Sequence, residues 1–158
     1  MPAPETVSVV PRPREAPKKR NLHKVPYVEL SAGRMMGVVS SGSDGSRVYC
    51  NFIEAGTGDF YCSTNNNRRC GGLRGPCKHI NSMIEQAIAQ YGGAEVARFM
   101  QLDVDTVRSA YDVQRHVRGS ERKEPAAIVF ARFLNYLRYV DLEAPAEPVP
   151  EMSWFVTG

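Results

Sequence analysis

The spacing at which apolar residues recur changes several times along the chain. Over residues 25–41 (VPYVELSAGRMMGVVSS) they are dense with little helical spacing, and Gly-Ser-Asp-Gly at 42–45 follows as a turn, predicting one or two short strands. Residues 46–53 alternate, with Val48, Cys50 and Phe52 on one face and Tyr49, Asn51 and Ile53 on the other. Residues 54–59 form a turn, and 59–64 return as a second strand with Phe60 and Cys62 on one face. A hairpin centred near Gly56 and Thr57 sets Cys50 almost opposite Cys62. Further on, Ile80, Met83, Ile84, Ala87, Ile88 and Tyr91 recur at spacings of three and four, one stripe of an amphipathic helix that Gly92 and Gly93 end.

Beyond residue 93 the pattern is helical. A short helix from about 95, a turn, and a second helix capped by Asp103 or Asp105 and continuing towards Val117 are predicted. A last helix starts at Glu124-Pro125, with Ala126, Phe130, Phe133, Leu134, Leu137 and Val140 on its apolar face. The fold class is α+β: a small antiparallel sheet carrying a ββα module, followed by a C-terminal region of about three helices.

Four residues bear chemistry. Cys62, Cys70, Cys77 and His79 form C-x7-C-x6-C-x-H, three thiolates and an imidazole that complete a tetrahedral set for one structural Zn²⁺ with no open position. Residues 65–75 supply a polar, glycine-bearing loop around Cys70, and Pro76 leads into a helix whose first turn holds Cys77 and His79, where the macrodipole favours thiolate. Cys50 has three uses open to it: a small core residue, an alternate metal ligand, or half of a cross-strand disulfide. All four cysteines lie in one segment, which favours metal over a disulfide framework.

The order hairpin, cysteine ending the second strand, polar loop, Cys-x-His opening a helix resembles the SWIM-type zinc finger, a ββα unit with the pattern CxC, loop, CxH. Cys62 matches the first cysteine of that pattern, and Cys77 with His79 match its close. Thr64 stands where the second cysteine belongs, so Cys70 from the loop takes that place, or Cys50 does so from the neighbouring strand. The resemblance spans about residues 32–91 and implies a DNA-binding or protein-docking module. Residues 93–117 also look like a helix-turn-helix, with Gln101 where a turn glycine at positive φ is usual and Asp105, Thr106, Arg108 and Ser109 towards the groove. We take them as a helical hairpin packed on the zinc module.

Composition divides the rest. The chain has 158 residues and a net charge of +3, unevenly distributed. Residues 1–24 form a basic, proline-rich arm expected to be disordered; 25–92 form the zinc module; 93–142 form the helical region packed on it; and 143–158 form an acidic, proline-rich tail ending in an aromatic segment. No apolar leader or run of ~18 apolar residues is present, so the cytoplasm is the expected compartment and no membrane is expected. The chain carries no P-loop, HExxH or deaminase signature, so neither enzyme activity nor a small-molecule substrate is expected. A protein-docking or adaptor role is expected, with Trp154 and Phe155 as partner anchors or as a segment folded back on its own domain. The alternative is DNA or RNA binding through the arm and through Arg68, Arg69, Arg74, Lys78 and Arg108. Arg115, His116, Arg118, Arg122 and Lys123 read as a solvated basic connection, with no partner assigned to His116.

Overall fold

The structure is a computed structural model describing residues 25–41 and 47–143, with side chains to 139. The predicted turn at 42–45, the basic arm, and Trp154 and Phe155 lie outside the described residues. Among the described residues, four strands and four helices follow in chain order: β1 (Tyr27–Ser31), β2 (Arg34–Ser40), β3 (Val48–Glu54), β4 (Phe60–Thr64), α1 (Lys78–Tyr91), α2 (Gly93–Phe99), α3 (Ala110–His116) and α4 (Ala126–Glu143). The strands form an antiparallel meander in the order β1-β2-β3-β4, so the class is α+β as expected. The apolar run at 25–41 is two strands, joined by Ala32 and Gly33, which both take positive φ, the conformation that tight hairpin turns require.

Both faces of the sheet are covered. Paired residues share a face, which places Gly37, Asn51 and Cys62 together on one side and Val38, Cys50 and Ser63 on the other. α1 lies on the first side, burying Ile80, Met83, Ile84 and Ala87. Gly37 makes that approach possible: a Cβ there would sit 2.7 Å from the Tyr27 carbonyl oxygen and 3.0 Å from Met83 Cγ. α4 crosses to the second side, where Phe133 and Tyr136 meet the Tyr27 ring at 5.6 and 5.4 Å and Arg132 pairs with Glu29. Its buried stripe is Ala126, Val129, Phe133 and Leu137. Arg34 ties this side together, donating to Glu124 at 2.7 and 2.8 Å and to Glu54 at 2.8 Å, with its guanidinium 4.1 Å above the Phe52 ring.

The region after α2 departs from expectation. α3 begins at Ala110, and its cap is Ser109, whose hydroxyl accepts from the Asp112 N–H at 3.2 Å while Asp112 Oδ2 accepts from the Arg108 N–H at 2.9 Å. These two bonds fix the cap at Ser109 instead of Asp103 or Asp105, so Asp105, Thr106 and Arg108 precede the helix and do not form a recognition helix. Gln101 does take positive φ, +62°, at the position where a glycine is usual. Asp103 instead lies beside His116, with Oδ1 3.2 Å from Nδ1. No helix among the described residues is long and apolar enough to cross a membrane.

Candidate metal centre

β4 delivers Cys62, and the chain then doubles back along it. Thr64 Oγ1 accepts from the N–H groups of Asn66 and Arg68 at 3.2 and 3.0 Å, and Asn67 takes positive φ, so the reversal is tight. The Thr64 N–H bonds the Arg68 carbonyl at 2.9 Å, and the Cys70 N–H bonds the Cys62 carbonyl at 3.1 Å. Cys70 is thus held beside Cys62 by a short antiparallel return rather than by a loose loop. Cys77 is the N-cap of α1, in extended backbone, and His79 follows on the first turn.

These pieces converge on one point. His79 Nδ1 lies 3.5 Å from Cys70 Sγ and 3.8 Å from both Cys62 Sγ and Cys77 Sγ. The four donor atoms lie within 4.8 Å of one another, a group that can hold a metal ion. All three sulfurs are buried and His79 is partly so. Cys50 is not among them. The hairpin centre is where the sequence put it, but that register pairs Cys62 with Asn51 and Cys50 with Ser63, turning Cys50 to the α4 side of the sheet. Cys50 is a free, buried thiol pushed up to about 12 by burial, a core residue rather than a ligand or half of a disulfide.

Strand β3 supplies two supports that the sequence pattern does not show. Asn51, fully buried, donates from Nδ2 to Cys62 Sγ at 3.7 Å. Tyr49, two residues back on the same face, stacks on the His79 ring with centroids 3.7 Å apart and planes 13° apart. Both follow from the alternation of β3 combined with its pairing to β4, which only the three-dimensional register reveals.

The thiols act on one another. Cys77 is held well below the usual thiol range, chiefly by the Cys62 thiol donating to it, then by His79 and the N–H groups of Ile80 and His79, with burial opposing. Cys62 is raised, first by that same hydrogen bond, then by burial and by the charges of Cys77 and Cys70, while Asn51 lowers it. Cys70 is raised chiefly by burial, against the Gly72 N–H, which lowers it. Three thiols this close cannot all ionise alone; a bound cation removes the repulsion and lets all three become ligands. The oriented N–H groups at Asn51, Gly72, His79 and Ile80 favour that ionised form.

The basic residues are dispersed. Arg69 is engaged by Glu121, with Nε–Oε2 and Nη2–Oε1 at 2.6 and 2.8 Å, and by the Leu73 carbonyl at 2.8 Å. Arg68, Arg74, Lys78 and Arg108 are exposed. Arg115 and Arg118 are exposed, as a solvated connection should be, and they also line one cleft of about 500 Å³ with Arg74, Tyr111, Leu73 and Phe60. Comparison with protein-family models, with curated proteins and with solved structures yields no match.

Proposed function

We propose that the chain is a SWIM-like, non-catalytic module in which one structural Zn²⁺ staples a sheet edge, a doubled-back loop and the start of a helix, and that the stapled surface docks a macromolecular partner. The observation that carries the reading is the Cys62–Cys70–Cys77–His79 cluster. A tetrahedron with metal–sulfur bonds of about 2.3 Å and a metal–nitrogen bond of about 2.0–2.1 Å has S···N edges of about 3.5–3.6 Å. The edges here are 3.5, 3.8 and 3.8 Å. Three thiolates and an imidazole suit zinc, and four protein donors in a buried pocket leave no position for a metal-bound water, which supports a structural rather than catalytic ion.

The resemblance to SWIM fingers is supported by the order β3, β4, loop, α1 and by Cys77-x-His79 at the helix start. Cys70 stands in for the second cysteine of that pattern, because the return along β4 brings it beside Cys62. An adaptor role places the partner on the surface that the metal orders, and nucleic acid is the reading for which the arginine-lined cleft speaks. The test is metal analysis of the purified protein. One zinc per chain is expected, with its release in Cys77→Ser and His79→Ala and a lowered melting temperature in both. Metal-free protein whose melt matches that of protein supplied with zinc overturns the proposal.

A further inference from the structure

The cleft beside the metal loop is assembled from three separate segments. One wall is the stretch between Cys70 and Cys77, which contributes Leu73, Arg74 and Pro76; another is α3 with Tyr111 and Arg115; the third is the strap of 117–121 with Arg118. Leu73 and Phe60 are buried and make an apolar floor. Tyr111 is 69% exposed, the most exposed large hydrophobic side chain among the described residues, and Arg115 sits 5.6 Å from its ring centroid.

The charges in the cleft are unbalanced. Glu121, its acidic member, is already gripped at both oxygens by Arg69. Arg115 meets Asp112 only at 3.9 Å, and among the described residues no carboxylate pairs with Arg74 or Arg118. Three arginines with little acidic compensation therefore line a cleft that has an apolar floor and a solvent-facing aromatic ring. An acidic peptide matches the charge alone. Alternating phosphates and planar bases match both features, since guanidiniums take phosphate oxygens in forked pairs and a tyrosine face accepts any base.

We propose that the cleft formed by Arg74, Arg115, Arg118 and Tyr111 binds single-stranded nucleic acid, with the arginines on the phosphates and Tyr111 stacked on a base. The volume, about 500 Å³, is that of a small-ligand pocket and admits a nucleotide unit rather than a duplex. The strap is pinned to the start of β4 just after Arg118. The Ser120 N–H bonds Asp59 Oδ1 at 2.9 Å, the Phe60 N–H bonds the Ser120 carbonyl at 3.1 Å, and the Arg122 N–H bonds the Phe60 carbonyl at 2.9 Å. The proposal rests on the zinc reading, because the wall carrying Arg74 is the segment between two ligands.

Fluorescence anisotropy of the full chain with labelled 12-mers of dT and U, in parallel with zinc analysis of the same sample, tests it. Binding is expected to fall with salt. Arg74→Ala, Arg115→Ala and Arg118→Ala combined are expected to weaken it at least tenfold and to flatten the log–log salt slope by about 0.7 per lost phosphate contact, with zinc content and melt unchanged. Tyr111→Leu is expected to cost roughly 5- to 150-fold with little change in that slope. Zinc-loaded protein that binds neither strand at low salt overturns the cleft and leaves the zinc reading standing, whereas zinc-free protein overturns the zinc reading itself. Unchanged binding by the triple variant, which would move the site to the arm at 1–24, overturns the proposal, as does equal affinity for duplex. Loss of poly-glutamate binding in the triple variant, without strand binding in the wild type, overturns it in favour of an acidic peptide.

Discussion

The Tyr49 ring lies flat against the His79 imidazole, 3.7 Å between centroids and 13° between planes, so a strand residue sets the orientation of a helix residue in the candidate metal centre. His79 Nδ1 is the atom that faces the sulfurs, and a half-exposed ring on the first turn of α1 has no other stacked aromatic partner among the described residues. Holding the ring before a metal arrives removes the cost of immobilising it on binding.

Tyr49→Ala is accordingly expected to weaken zinc binding by at least about tenfold, the scale on which residues that orient ligands act. Tyr49→Phe, which keeps the stacked face, is expected to stay close to wild type. Competition against a chromophoric chelator separates the two, and equal losses in both variants would show that the hydroxyl, not the stack, matters.

Cys50 carries a prediction of a different kind, because it titrates alone on the far side of the sheet. Burial pushes its thiol up to about 12, from an ordinary value of 9.0. A raised pKa means that the folded state keeps a proton that the unfolded chain gives up. The contribution is therefore complete below about pH 9 and is lost as pH rises towards 12, by up to about 4 kcal/mol at about 1.4 kcal/mol per unit. Cys50→Ala is expected to cost about 1 kcal/mol at pH 7 and to lose less stability than wild type between pH 9 and 11, read from urea melts at each pH. Parallel stability–pH curves for the two proteins would contradict this.

What the residue pattern shows and what it hides divide by range. The α1 stripe, the Cys77-x-His79 opening and the hairpin centre near Gly56 are set by neighbours within a few positions, so periodicity and turn chemistry are enough to place them. The face on which Cys50 lies depends on a register off by a single residue, which inverts the side chain. The start of α3 lies past Asp103 and Asp105, which look like caps in isolation, because Ser109 accepts the Asp112 N–H, Asp112 accepts the Arg108 N–H, and Glu85 on α1 accepts the Ala110 N–H at 2.8 Å. The pairing of Arg69 with Glu121 and the gathering of Arg74, Arg115 and Arg118 join residues some forty to fifty positions apart. Their local sequence shows charge but not company.

A further long-range joint, the contact of Gly58 with Gly119, holds the strap that forms one wall of the cleft. A Cβ at Gly119 would lie 2.1 Å from the Gly58 carbonyl carbon and 2.3 Å from the Asp59 N, and one at Gly58 would lie 2.6 Å from Val117 Cγ2. Backbone meets backbone there, so no rotamer change relieves a clash. Gly119→Ala must push the 117–121 strap off β4, straining the bonds of Ser120 and Arg122 to Asp59 and Phe60. A loss of about 2–3 kcal/mol is expected by chemical denaturation. Gly75→Ala serves as the control, since a Cβ at Gly75 meets nothing within 4 Å and its expected effect is under about 0.5 kcal/mol. Because the strap's backbone meets β4 at Asp59 and Phe60, ahead of Cys62, the Gly119 variant is expected to retain zinc while losing stability. Loss of metal together with stability would instead show that strap and metal centre melt as one unit.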